Sequence, residues 1–173
     1  YPLFADVKSI PGVGQKTANA ILNKIGDTII DIIFYFPTSI IDRRLTKSLV
    51  NTPINSIITT QAKVIKHYPN KFNKKSPYKV TVETLLHEMD LIFFNLREDY
   101  INQLLPINKE VIISGKINFY NDKFQITHPD YIFPLNKKNE LPLFEPIYPL
   151  INGLTLKVLR KSILFSLNKL PKF

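Results

Sequence analysis

The stretch EVIISGKINFY, residues 110–120, decides how this chain is read. Val111, Ile113, Ile117 and Phe119 fall on one parity, and Ser114, Lys116, Asn118 and Tyr120 on the other. Successive side chains of an extended strand point to opposite faces, so this alternation predicts a half-buried strand with Phe119 in its apolar set and Tyr120 turned to solvent. Asn121-Asp122 follows at once. Two such residues between alternating runs are a tight-hairpin signal, which makes 123–133 the returning strand.

Working outward, the same period recurs. KVTVETL alternates, and five strands are expected at about 59–68, 78–86, 89–95, 110–119 and 123–133. A short helix, REDYINQLL, lies between the third and fourth. Five short strands with a helix in that place are the order of an OB-fold barrel. Before this region, Ala18, Ile21, Leu22 and Ile25 recur at helical spacing, with Gly26 as a left-handed cap. Asp27 or Thr28 then caps a second helix with the face Ile29, Ile30, Ile33 and Phe34, ended by Pro37. After the strands come a polar linker, NKKNELP, and an extended proline-rich passage, LPLFEPIYP. A last helix, begun by Thr155 or Asn152, carries Leu156, Leu159, Ile163 and Leu167 on one face. The expected organisation is a helical segment at 1–50, the barrel at 54–134, and a linker with a helix at 135–173. The class is mainly β with flanking helices.

The chain has 173 residues and carries 23 Lys and Arg against 14 Asp and Glu, a net charge of +9. Such a balance favours anionic partners, nucleic acid first and an acidic membrane second, over a merely solvated lysine surface. There is no cysteine, which excludes disulfides and thiolate zinc sites and fits a reducing, cytoplasmic setting. No apolar run is long enough to span a membrane. The opening YPLFADV and the close LPKF read as a piece of something longer.

SIPGVGQKTANAIL, residues 9–22, looks at first like a nucleotide loop. A dinucleotide fingerprint needs a third glycine where Thr17 stands, and a preceding strand. A Walker loop fails as well, because Gly115-Lys116 is followed by Ile117 and lacks the earlier glycine. The form that fits is a helix-hairpin-helix turn, Pro11-Gly12-Val13-Gly14. There Gly12 and Gly14 permit the turn, backbone N–H groups at the new helix start face a phosphate, and Lys16 adds charge. A plain interhelical turn is the competing reading.

GVGQKTA, FYFPTSIIDRR, IFFN, VIISGKI, THPDY, PIYP and GLTLKVLR occur in this order along the chain. The set resembles the N-terminal wedge region of RecG, the bacterial ATP-dependent DNA helicase that remodels stalled replication forks, over nearly the whole chain. The resemblance implies an OB-fold flanked by helices, ahead of a two-lobed motor that would hold ATP and Mg²⁺. No cofactor is then expected in this chain. It implies forked or branched DNA and the motor domains as partners. It also implies a pair of hairpin aromatics four residues apart that stack on separated bases, a spacing matched by Tyr120 and Phe124. One departure is LLHEMDL, shorter than the family's Ser/Thr-Gly turn between the second and third strands and without its glycine.

The residues themselves add candidates. KHYPNKFNKKSPYK interleaves Tyr68, Phe72 and Tyr78 with Lys66, Lys71, Lys74, Lys75 and Lys79, giving π-faces for bases and cations for phosphates. Lys116 extends the basic set. Phe124 shares parity with Ile126, so a core position competes with a stacking one. Arg43 and Arg44 either pair with Asp42 or meet phosphate. His128 reads as a hydrogen-bonding residue, and His67 and His87 lack partners at metal-ligand spacing. No catalytic constellation is present. An RNA-binding OB domain and a protein module docking onto a motor are the rival functions.

Overall fold

A computed structural model describes residues 1–70 and 76–171. The chain forms two compact units, one of residues 1–40 and 146–173, the other of residues 41–145.

The larger unit is a closed barrel. Its strands are β2 (Ile57–Tyr68), β3 (Tyr78–Glu83), β4 (Glu88–Phe93), β5 (Glu110–Tyr120) and β6 (Lys123–Thr127), with α3 (Glu98–Leu104) between β4 and β5. β2 pairs with β3, β3 with β4, β4 in parallel with β6, β6 with β5, and β5 back with β2. This is the OB order expected from the sequence. Val64, Val80, Val82, Leu91, Val111, Ile113, Ile117 and Ile126 fill the interior, and Ile101 and Leu105 join them from the end of α3. Each such side chain removed from water contributes about 1.5–3 kcal/mol, which sets the register firmly.

The return from β5 differs from expectation. The run 123–133 is two strands, β6 and β7 (Tyr131–Pro134), laid in turn along one edge of β5. His128, with φ of 47°, and Pro129 break the ladder between them. Gly115 lies under this break: a Cβ there would stand 2.8 Å from Ile126 Cγ2 and 3.1 Å from Pro129 Cα. The kink fits because that position has no side chain. The glycine-free turn at 84–87 closes by other means. Thr84 donates its N–H and its hydroxyl to the His87 carbonyl, both at 2.8 Å, and its Oγ accepts from the His87 N–H at 3.1 Å.

Two short strands, β1 (Ser39–Asp42) and β8 (Phe144–Ile147), pair with each other. The polar linker of the sequence reading overlaps a 3-10 segment, Leu135–Glu140.

The other unit joins both chain ends. It holds α1 (Gln15–Leu22), α2 (Ile29–Ile33) and α4 (Leu156–Leu167). Its core gathers Val7, Ile10, Val13, Ala18, Ile21, Ile29 and Ile32 with Tyr148, Ile151, Leu154, Leu159 and Ile163. Thr155 caps α4, accepting from the Val158 N–H at 3.3 Å. Thr28 caps α2, where the Asp31 carboxylate accepts from its N–H at 3.0 Å and its hydroxyl at 2.5 Å. Three helix expectations are corrected. Gly26 has φ of 152°, outside the left-handed helical region, and Asn23 is the C-cap of α1. α2 buries Ile29 and Ile32 and exposes Phe34, because five residues are too few to hold a helical stripe. Leu22 and Leu167 are exposed.

Candidate nucleic-acid interface

The β5–β6 hairpin carries the most exposed aromatic candidate among the described residues. Asn121 and Asp122 have φ of 49° and 58°, the paired positive values of a type I′ turn, whose twist matches that of the strands it joins. Tyr120 sits immediately before this turn and is 63% exposed. Its partner across the ladder is Lys123, whose ammonium meets Glu88 Oε2 at 2.9 Å. That hydrogen bond holds the Lys123 pKa above its ordinary value, with Asp90, Glu88 and Tyr68 adding to it. Lys116 is exposed on the same strand.

Phe124 stands on the other face of the hairpin, partly buried against the barrel core. Tyr120 and Phe124 therefore keep their spacing of four but not a common surface. Phe119 departs from the sequence reading. It belongs by parity to the interior set, yet it is 48% exposed. The hairpin outruns the barrel after Ile117, and its inner face is only partly covered there, with the Phe124 ring 5.3 Å from that of Phe119.

Tyr68, at the end of β2, is 40% exposed. Lys66 and Lys79 lie over its ring, at 5.0 and 4.5 Å from the centroid. Lys79 also meets Asp90 at 3.4 Å, and Asp90 accepts from the Thr81 hydroxyl at 2.7 Å. Tyr78 is buried, and its hydroxyl is 2.8 Å from His67 Nδ1. His67 Nε2 donates to the Leu105 carbonyl at 2.7 Å, so this histidine is a structural tie. Lys71, Phe72, Lys74 and Lys75 lie outside the described residues.

The two arginines separate. Arg43 is 3% exposed. Its Nε donates to Glu145 at 2.6 Å, and its Nη1 reaches Asp130 and Ser114 Oγ, each at 3.0 Å. The Tyr131 ring lies 4.8 Å away. A guanidinium so enclosed offers no face to a phosphate, and its partners are Glu145 and Asp130 rather than Asp42. Arg44 is exposed and takes Asp42, whose pKa falls to about 2 under the guanidinium and backbone hydrogen bonds of Arg44.

In the other unit, Gly12, Gly14 and Lys16 are all exposed at the start of α1. Only Gly12 has positive φ, 87°. Gly14 is the extended N-cap of α1, and the element ahead of the turn is a single 3-10 turn, Val7–Ser9, in place of a first helix. His128 is a hydrogen-bonding residue as read, its Nε2 accepting from the Phe94 N–H at 3.1 Å. No helix among the described residues is long and apolar enough to cross a membrane.

A family model described as the RecG wedge domain matches residues 6–169. The chain belongs to the RecG wedge domain family. Among curated proteins, the ATP-dependent DNA helicase RecG of Thermotoga maritima is 30% identical over 165 residues, which are 92% of this chain and 20% of that protein. The protein of the same name from Staphylococcus epidermidis is 28% identical over 157 residues, 89% of this chain and 22% of its own length. The chain thus spans about a fifth of the curated relatives it matches. A solved structure of RecG bound to a three-way DNA junction superposes with a TM-score of 0.69 at 23% identity, over 94% of this chain and 22% of that one. It carries the wedge fold across nearly all of the sequence.

Proposed function

We propose that this RecG wedge domain is the DNA-binding module of an ATP-dependent helicase, and that it binds forked or branched DNA and parts the strands at stalled forks and junctions during repair and recombination. The observation that carries the reading is Tyr120. An aromatic ring at the tip of a projecting hairpin adds little to the barrel, whereas stacking on an unpaired base contributes about 1–3 kcal/mol. The relatives' names supply the substrate and the motor: both are called ATP-dependent DNA helicases, and the superposed RecG is bound to a DNA junction. ATP and Mg²⁺ belong in this reading to motor domains of a longer parent protein in the cytoplasm, since the chain holds no phosphate loop.

The basic surface supplies affinity and the hairpin supplies discrimination. Lys116, Lys66 and the lysines of 71–75 would track phosphates, with Arg44 and the Gly12–Lys16 turn as further backbone contacts. Each phosphate neutralised should add about 0.9 to the slope of log affinity against log salt on duplex, and about 0.7 on a single strand. The test is a mobility shift of the 173-residue chain on forked DNA, duplex DNA and a fork of RNA, at stepped salt. Preference for forked DNA supports the proposal. Equal binding to the RNA fork favours a general RNA-binding barrel, and no binding to any of the three favours a protein-docking module.

A further inference from the structure

We infer that the outer faces of α1 and α4 form a second DNA-binding surface, where Lys16, Lys24, Lys157 and Lys161 hold the phosphate backbone of paired duplex. The inference rests on the DNA-binding reading and deepens it: the ligand here is double-stranded DNA, bound without regard to sequence or to unpaired bases.

The charge of the helical unit is segregated. Residues 1–40 carry Lys8, Lys16 and Lys24 against Asp6, Asp27 and Asp31, and residues 146–173 add five Lys and Arg with no Asp or Glu. The three carboxylates gather at one place. Asp6 bridges to Thr28, Asp27 precedes it, and Asp31 accepts from the Thr28 N–H and hydroxyl. The helices α1 and α4 are left with cations alone among their charged residues.

Those cations come together. A Cβ on Gly153, just before the Thr155 cap of α4, would stand 3.6 Å from the Ala20 Cβ of α1. Lys16 and Lys24 lie four residues to either side of Ala20, on the same line of the helix. Lys24 is in the turn that prolongs α1, its N–H donating to the Ile21 carbonyl at 3.1 Å. Lys157 and Lys161 are one turn apart at the start of α4, with Cβ atoms about 5–6 Å apart. All four lysines are exposed, and none has an ion pair among the described residues. Arg160 is turned aside, its Nη2 donating to the Pro146 carbonyl at 3.1 Å.

Helix stability does not account for this placement. α3 opens with Glu98 and Asp99, and α2 carries Asp31 in its first turn, as the helix dipole favours. α4 has no acid in its first turn and has Lys157 there instead. Lys157 and Lys161, at i and i+4, also repel each other. A polyanion removes both penalties. The patch has no ring for a base: the large apolar residues that α1 and α4 expose are Leu22, Leu164 and Leu167. Cations without stacking surfaces suit phosphates whose bases stay paired.

The experiment is a salt titration of the 173-residue chain on blunt duplex and on forked DNA. Lys157→Gln with Lys161→Gln should lower the duplex slope of log affinity against log salt by about 1.8, and adding Lys16→Gln and Lys24→Gln should bring the fall to about 3.6. The same variants should lose affinity for the fork by the same factor as for duplex, and melt no lower than the parent. Lys157→Arg with Lys161→Arg should keep the slope. Lys47→Gln with Lys138→Gln removes equal charge from exposed positions of the barrel unit and should leave the slope unchanged. The inference fails if the α4 pair leaves the duplex slope as it was, or if the Lys47 and Lys138 pair lowers it as much. It fails too if the lysine variants hold duplex but lose vesicles of phosphatidylcholine and phosphatidylglycerol, which would make the face a membrane contact. In each of these cases a fork preference that Tyr120→Ala abolishes keeps the wedge reading. If the parent shows no fork preference while the lysine variants lower the duplex slope as stated, the wedge reading falls and this surface stands.

Discussion

Replacing Arg43 by alanine tests whether this residue is structural or binds DNA. Its three polar contacts are unequal. Asp130 keeps 44% of its side chain in water, so that pair contributes no more than about 1 kcal/mol. Glu145 keeps 10%, and it faces Arg43 Nε at 2.6 Å. Without the guanidinium, the Glu145 carboxylate stays buried and loses its 2.6 Å charged partner. Removing one partner of a buried pair costs about 3–5 kcal/mol. Ser114 remains bonded to Thr59 and to the Ile58 carbonyl, so its hydroxyl adds little to the loss. The expected fall is therefore about 3–5 kcal/mol, or roughly 6–20 °C in Tm for a chain of this size. Urea unfolding followed by circular dichroism should show a lower midpoint at unchanged m-value. Adding Glu145→Gln to Arg43→Ala removes the buried charge that has lost its guanidinium and should restore about 1–2 kcal/mol. Under conditions where the variant is folded, the salt slope of fork binding should equal that of the parent. A destabilisation below about 1 kcal/mol, no gain from Glu145→Gln, or a shallower salt slope would refute the buried-tie assignment.

Tyr120→Ala should weaken fork binding by roughly tenfold, spare duplex binding, and shift stability by less than about 0.5 kcal/mol, as read from mobility shifts beside a thermal melt. Gly115→Ala should destabilise by about 1–3 kcal/mol in urea, because the added methyl meets Ile126 and the Pro129 backbone. The Asp42 carboxyl should titrate near pH 2 by carbon-13 NMR, against an ordinary 3.8, and Arg44→Gln should return it upward. Since the folded value is the lower one, the Asp42–Arg44 contribution is present above the ordinary carboxylate range and is lost as pH falls towards 2.

What the sequence disclosed follows from how local each determinant is. The Asn121-Asp122 turn was legible because its backbone demand is met by two adjacent residues. The strands were legible because period two persists through the barrel. The break at His128 was missed because Thr127–Asp130 interrupts the alternation for only four residues before the apolar run Tyr131–Phe133, while the chain bends over Gly115. Phe119 was misplaced because parity assigns a face but not whether anything covers that face, and the hairpin outlasts its barrel. Arg43 was ambiguous because its partners stand 71, 87 and 102 residues away. No window along the chain contains them, and the nearby Asp42 belongs to Arg44.

The amide N–H of Arg43 donates to the carbonyl of Leu143 at 2.8 Å, so the stretch that forms the barrel begins and ends within one hydrogen bond of itself. A segment with touching ends is a cassette. Spliced into a surface turn of an unrelated host, residues 41–145 would replace one short loop and leave the distance between the host's own flanking residues nearly unaltered. The host would then bear little of the closure entropy that a widely separated insertion imposes. The reverse operation is equally economical: a brief turn joining residues 40 and 146 would excise the barrel without stretching the backbone on either side. New joints in this chain are best made there.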